Sequence, residues 1–253
     1  MPDVNSPAAS AAHPARFGEL DALRGAAVLM MIVSNFMLDL RHAGFLTELP
    51  AELFWAVFAR LTAGLFVLIA GIALTLSHVR TGSPGFATYA RRGAGIFSLG
   101  MLVTAATRVF SGENYVIFGV LHLIGTGIIL SYPFLRFRLP ALVPGCIMIA
   151  AWFAFLRPVR LGTPALLWLG LRTDGFRSLD YTPLFPWFGV MLLGLACGRF
   201  VFPGGGRKYR SDRANGTAAL RFLGYAGRHS LLVYLLHQPL LLALLYAVRT
   251  VSG

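Results

Sequence analysis

A chain of 253 residues with 57% hydrophobic and 13% charged side chains, at a mean hydropathy of +0.69, carries more apolar surface than a water-soluble domain of this size can hide. Its net charge of +12 does not point to nucleic acid, because the basic residues are scattered over separate short segments between apolar runs. The solvent for most of the protein is lipid.

Residues 1–16 are rich in Ala, Pro and Ser and read as a disordered cytoplasmic tail. They are not expected to be a cleavable signal peptide, since the first apolar run is long enough to span and no small-residue cleavage site follows it. A spanning helix needs roughly 20 mostly apolar residues. Runs that approach this stand at about 23–40, 54–78, 93–110, 115–135, 140–156, 184–203 and 231–248. Backbone polar groups in lipid must pair within their own segment, so each run is expected to be helical. The expectation is an all-α, polytopic membrane helix bundle of about seven transmembrane helices, with residues 17–250 forming one transmembrane domain.

The first run opens with ELDALRG, where Asp21 and Arg24 stand three apart and can pair. It closes near Asn35, and His42 follows in the next segment with Asp39 and Arg41 between them. The segment 79–92 holds Arg80, Arg91 and Arg92 and no acid. YVIFGVLHLIGTGIIL, residues 115–130, places His122 in an otherwise apolar stretch beside Gly119, Gly125 and Gly127. A helix beginning near Tyr115 would carry its ring about 10 Å along the axis. Segment 136–139 adds Arg136 and Arg138, again without an acid. Cys146 and Cys197 fall inside apolar runs and read as small buried hydrophobes. PALLWLGL, 164–171, is too short to span and reads as a re-entrant or interfacial piece. Residues 204–216 read as a flexible basic cytoplasmic loop. The last run carries His237, Gln238 and Pro239, and the proline frees the carbonyl of Leu235. No CxxC, His-rich or paired-acid spacing suggests a metal.

The basic residues alternate with the acids. Segments 79–92, 136–139 and 204–230 are cationic, whereas Glu48, Glu52, Glu113, Asp174 and Asp180 fall in the segments between. By the positive-inside rule the N-terminus is cytoplasmic and the C-terminus outside. Ionisable side chains within lipid cost about 2.5–3.5 kcal/mol for Arg, Lys or Asp, so those in the spans are candidates for a functional interior.

ELDALRGAAVLMMIVSNF, FARLTAGLFVLIAGIALTLS, FGVLHLIGTG, DYTPLFPWFGVMLLGLACG and SLLVYLLHQPLLL, in that order, resemble the bacterial DUF1624 family over about residues 17–248. That family is similar to the membrane domain of heparan-alpha-glucosaminide N-acetyltransferase. The resemblance implies a multi-pass protein of the inner (plasma) membrane that moves an acyl group, acetyl first, from cytosolic acyl-CoA to an amine or hydroxyl of a sugar or glycan on the outer side. It implies catalytic roles for Asn35 and His42, and His122 joins them as the titratable ring in the membrane. Arg80, Arg91, Arg92, Arg136 and Arg138 are placed where the phosphates of CoA would arrive, and Asp21, Arg24, Asp180, Trp187, His237 and Gln238 are placed along the cavity. The donor substrate is acetyl-CoA or another acyl-CoA, with no metal. The partners are membrane lipid, acyl-CoA, the acceptor and, as an open option, a second copy of the chain in a homodimer. A thioester needs only a base for the acceptor's proton and donors for the oxyanion, roles that His and Asn can fill. The alternative is a proton-coupled transporter or flippase of a polar lipid or small solute, although the seven uneven runs show no internal repeat.

Overall fold

The structure is a computed structural model that describes residues 18–42, 44–46, 51–203 and 217–252. The expected tail and the basic stretch 204–216 therefore lie outside the described residues. Eight α-helices follow one another: α1 Gly18–His42, α2 Glu52–Arg80, α3 Phe86–Ser111, α4 Val120–Arg136, α5 Leu142–Ala151, α6 Leu184–Val201, α7 Ala218–Arg228 and α8 Ser230–Ser252. A π turn, Trp152–Leu156, extends α5, and a short 3₁₀ helix, Pro164–Leu169, occupies the connection to α6 where the too-short run was noted. Among the described residues there is no β-strand, only isolated bridges.

Five of the helices, α1, α2, α3, α6 and α8, are long and apolar enough to cross a membrane, while α4 and the α5 segment are apolar but shorter. Large hydrophobics point outward along them, among them Leu61, Leu102, Phe155, Phe200 and Leu240. Such a surface fits lipid and would be an aggregation liability in water. Cys146 and Cys197 are free and lie on this outward face rather than buried in the bundle, as their runs had suggested.

Lipid offers no hydrophobic drive between helices, so close packing at small residues must hold them together. Four pairs of helices meet in this way. Gly93 of α3 and Gly125 of α4 face each other so closely that a Cβ on either would come within 2.6–2.7 Å of the other's carbonyl oxygen. Gly71 meets Gly194 between α2 and α6, Gly145 meets Gly189 between α5 and α6, and Gly227 of α7 lies against the backbone of Asp21 and Gly25 on α1. The main core fills the space between α2, α4 and α6 with Leu74, Leu123, Met191, Leu192 and Leu195.

Two elements differ from the sequence reading. Within the cationic segment 204–230, where the sequence shows no apolar run, α7 forms, capped by the Thr217 hydroxyl, which accepts from the Leu220 amide at 3.3 Å. Its glycine face lies on α1, running antiparallel, so α8 then starts beside the first turns of α1 and runs alongside it. The fourth run does not become helical at Tyr115. Residues 115–119 are non-helical, and α4 begins at Val120. Val116 donates to Thr107 and His122 lies against Gly100 and Thr104, so α4 starts well below the end of α3 at Ser111. From Thr104 to Ser111 is about 10 Å of helix. Irregular backbone at such depth is tolerated only where protein encloses it. Here the connection before α6 does so: Thr182 donates to the Phe118 carbonyl at 2.8 Å, and Ser178 to that of Tyr115 at 2.9 Å.

Candidate functional site

A cavity of about 290 Å³ lies between α1, α2, α3, α4 and α8. Its walls are apolar, with Phe66, Ile69, Ile96, Ile124 and Ile128 prominent. One end carries three cations: Arg24 from the second turn of α1, Arg92 from the second turn of α3 and Arg228 from the end of α7. Each comes from a helix end on the side of the basic segments. Arg24 is tied to Asp21 at 3.0 Å, and Arg92 reaches the Ser77 hydroxyl at 3.4 Å. Toward the other end the lining includes Val120, the first residue of α4, and Tyr234 of α8. Arg92 and Gly100, the residue level with the start of α4, are about 12 Å apart along α3.

Val120 and Tyr234 belong to a knot of polar bonds. The first amides of a helix lack partners of their own and attract negative charge. Asp180 answers this for α4. Its Oδ2 accepts from the Val120 amide at 3.0 Å and from the Tyr234 hydroxyl at 3.2 Å. Only glycine at 119 leaves room, because a Cβ there would collide with Oδ2. Burial pushes the Asp180 carboxyl up from its ordinary value, against the two hydrogen bonds that favour the anion. Nearby, burial also raises the Tyr181 hydroxyl, whose ring lies under Arg172 and whose OH donates to Leu167 at 2.7 Å.

Beyond Tyr234 a second polar group joins α1 and α8. The His237 Nδ1 is 2.6 Å from the Tyr234 carbonyl, which can only accept, so Nδ1 carries the proton. Nε2 is then the acceptor, and the Asn35 amide donates to it at 2.7 Å. One turn along α1, Asp39 receives the Gln238 amide on both carboxylate oxygens, at 2.9 and 3.1 Å. Asp39 and His237 are both buried. Because His237 is level with Asn35, it lies about 10 Å from the end of α1, in the half of the bundle that holds the acid-bearing segments. Counting along α8 alone would place it in the opposite half.

Asn35 is thus paired with His237. The helix α1 ends at His42, whose side chain is not among those described. Arg41, placed by the sequence in one cluster with Asn35 and Asp39, turns instead to Glu52 at 2.8 Å. His122 is not part of the cavity wall. It is the third residue of α4, its Nδ1 accepts from the Gly119 amide at 3.2 Å, and its Nε2 reaches the Thr104 hydroxyl at 3.4 Å. The ring packs between Phe97 and Phe118, fully buried against α3. Of the expected phosphate-binding arginines, Arg92 reaches the cavity, whereas Arg80, Arg91, Arg136 and Arg138 are exposed outside its wall. Asp21 is buried beneath Arg24, and Trp187 packs on the main core. Arg228 and Tyr234 are cavity residues that the sequence did not single out. Tyr234 could have been found from its place one turn before His237.

Apolar helices that can cross a membrane, folded round a cavity with a cationic end and a polar crossing at the other, define a multi-pass helical membrane protein with an internal site. The family model described as heparan-alpha-glucosaminide N-acetyltransferase, catalytic, matches residues 16–239, and the chain belongs to that family of membrane acetyltransferases. No curated protein and no solved structure matches it. Among the described residues no three His, Cys, Asp or Glu gather as a metal site.

Proposed function

We propose that the protein is a multi-pass acyltransferase of the inner membrane that takes an acyl group, acetyl first, from cytosolic acyl-CoA. The acceptor is an amine or hydroxyl of a sugar or glycan presented at the opposite face. The observation that carries this reading is the cavity, with Arg24, Arg92 and Arg228 at one end and apolar walls behind them. A CoA thioester has the matching polarity. Its phosphates would meet the arginines, and its narrow pantetheine arm would run between Ile96, Ile124 and Ile128. That leads the thioester toward Tyr234 and the polar crossing beyond. An apolar, water-poor channel protects a thioester from hydrolysis and strengthens each electrostatic contact made within it. The same residues support a cytoplasmic placement of the cationic end, because it lies with the basic segments that the positive-inside rule assigns to the cytoplasm.

The test uses purified protein in lipid nanodiscs with acetyl-CoA labelled in the acetyl group and amino sugars as acceptors. Transfer of label to an acceptor supports the enzyme. Arg92→Gln and Arg228→Gln are each expected to weaken acetyl-CoA binding about tenfold, the loss of one charge-assisted phosphate contact, and to flatten its salt dependence. Arg91→Gln, outside the cavity wall, should leave affinity unchanged. Binding of a solute unrelated to CoA, with no turnover of the thioester, would instead indicate the transporter.

A further inference from the structure

Four polar side chains meet where α1 crosses α8: Asn35 and Asp39 one turn apart on α1, His237 and Gln238 adjacent on α8. At its other end α1 is packed through glycine, with Gly227 of α7 against Asp21 and Gly25. Four polar groups facing one another in an apolar bundle are a costly way to join two helices, since each must keep its hydrogen bonds to avoid a desolvation penalty. The crossing also has a location that packing does not require. The His237 ring lies 5.7 Å, centroid to centroid, from the ring of Tyr234, which lines the cavity. Among the described histidines at that end, His237 has a ring nitrogen free of its proton and directed to a side chain able to swing away. The corresponding nitrogen of His122 is bound to a backbone amide and cannot be exchanged without opening the first turn of α4.

We propose that His237 takes the acceptor's proton during acyl transfer and that Asn35 is the positioning residue holding its Nε2 in the resting protein. This rests on the acyltransferase reading above. The acceptor N–H or O–H replaces the Asn35 amide as donor to Nε2. Its nitrogen or oxygen forms a bond to the thioester carbonyl carbon as its proton passes to Nε2. The C–S bond then breaks, and the proton moves from Nε2 to the departing sulfur, leaving acylated acceptor, CoA thiol and the neutral ring. Nδ1 remains bonded to the Tyr234 carbonyl throughout, which fixes the ring plane. The Asp39 carboxylate, held on both oxygens by Gln238 next in sequence to His237, places a negative charge on the same side of the crossing as the imidazolium that forms briefly.

The experiment measures acetyl-CoA binding and steady-state transfer on the full chain in nanodiscs. His237→Gln is expected to lower kcat by about 100-fold or more, the range that a positioned base supplies, with acetyl-CoA affinity unchanged. Free imidazole should restore part of the turnover to His237→Ala and none to Asn35→Ala. Asn35→Ala keeps the ring and should lower kcat about tenfold, with little change in KM for acetyl-CoA, and it serves as the test should the His237 variants fail to fold. Parent-like kcat in His237→Gln, or in Asn35→Ala where that is the test, overturns the proposal while leaving the acyltransferase standing. A parent protein that transfers no acetyl group overturns both.

Discussion

His122 and His237 are both rings in the membrane, and their hydrogen bonds separate them. In His122 one nitrogen accepts from the backbone at the start of α4 and the other reaches Thr104, so the ring completes the N-terminus of a helix. Its removal leaves the Gly119 amide and the Thr104 hydroxyl without that partner. His122→Ala is expected to cost about 1–3 kcal/mol, read as a lower melting temperature in detergent, while kcat per folded molecule stays within a few-fold of the parent. A loss of turnover near 100-fold in protein that melts like the parent would return the chemistry to His122. Serine or alanine would serve poorly in its place, because neither reaches back from the third helical position to the Gly119 amide.

At the scale of elements, the helices approach through reciprocal glycines, and the test is to fill one of them. Gly93 and Gly95 both lie in α3, two residues apart. A Cβ at Gly93 would meet the Gly125 carbonyl at 2.6 Å, whereas at Gly95 it meets nothing within 4 Å. Gly93→Ala should therefore push α3 from α4 and destabilise the protein by about 1–3 kcal/mol, as overpacking does. Gly95→Ala should be neutral or raise stability by up to about 1 kcal/mol, since alanine is the better helix former. Thermal melting of the two variants in the same detergent decides it, and equal melting temperatures would mean that the crossing is not a tight one. The recessed start of α4 belongs to this scale as well. Asp180 can reach the Val120 amide and Tyr234 together because residues 115–119 are non-helical and the helix starts at Val120.

At the scale of the whole molecule, the membrane orientation can be read from two exposed positions. Phe137 follows α4 on the basic side, and Asp174 lies in the connection between α5 and α6 on the acidic side. With Cys146 and Cys197 replaced by alanine, Asp174→Cys should react with an impermeant maleimide on intact cells. Phe137→Cys should react only after the membrane is opened. The reverse pattern would invert the assignment and place the arginine end of the cavity outside, away from cytosolic acyl-CoA.

The sequence by itself determined that this is a helical membrane protein and which segments are basic, because both follow from composition and from charge counted along the chain. It also supplied Asn35, His237, Gln238 and Arg24 as polar residues within the apolar runs, and Asp180 and Arg92 as charges in the segments between them. Only the tertiary structure decided which of them meet. Asn35 and His237 stand 202 positions apart, and their contact depends on α7 folding back on α1 so that α8 can run beside it. Depth was hidden for the same reason. Hydropathy registers Tyr115–Gly119 as more of an apolar run, but whether such a run is helix or extended chain is settled by what pairs with its backbone, here residues 178–182 of a distant segment. Hydropathy measures how a residue partitions into lipid, and it carries no information on which neighbour satisfies its hydrogen bonds.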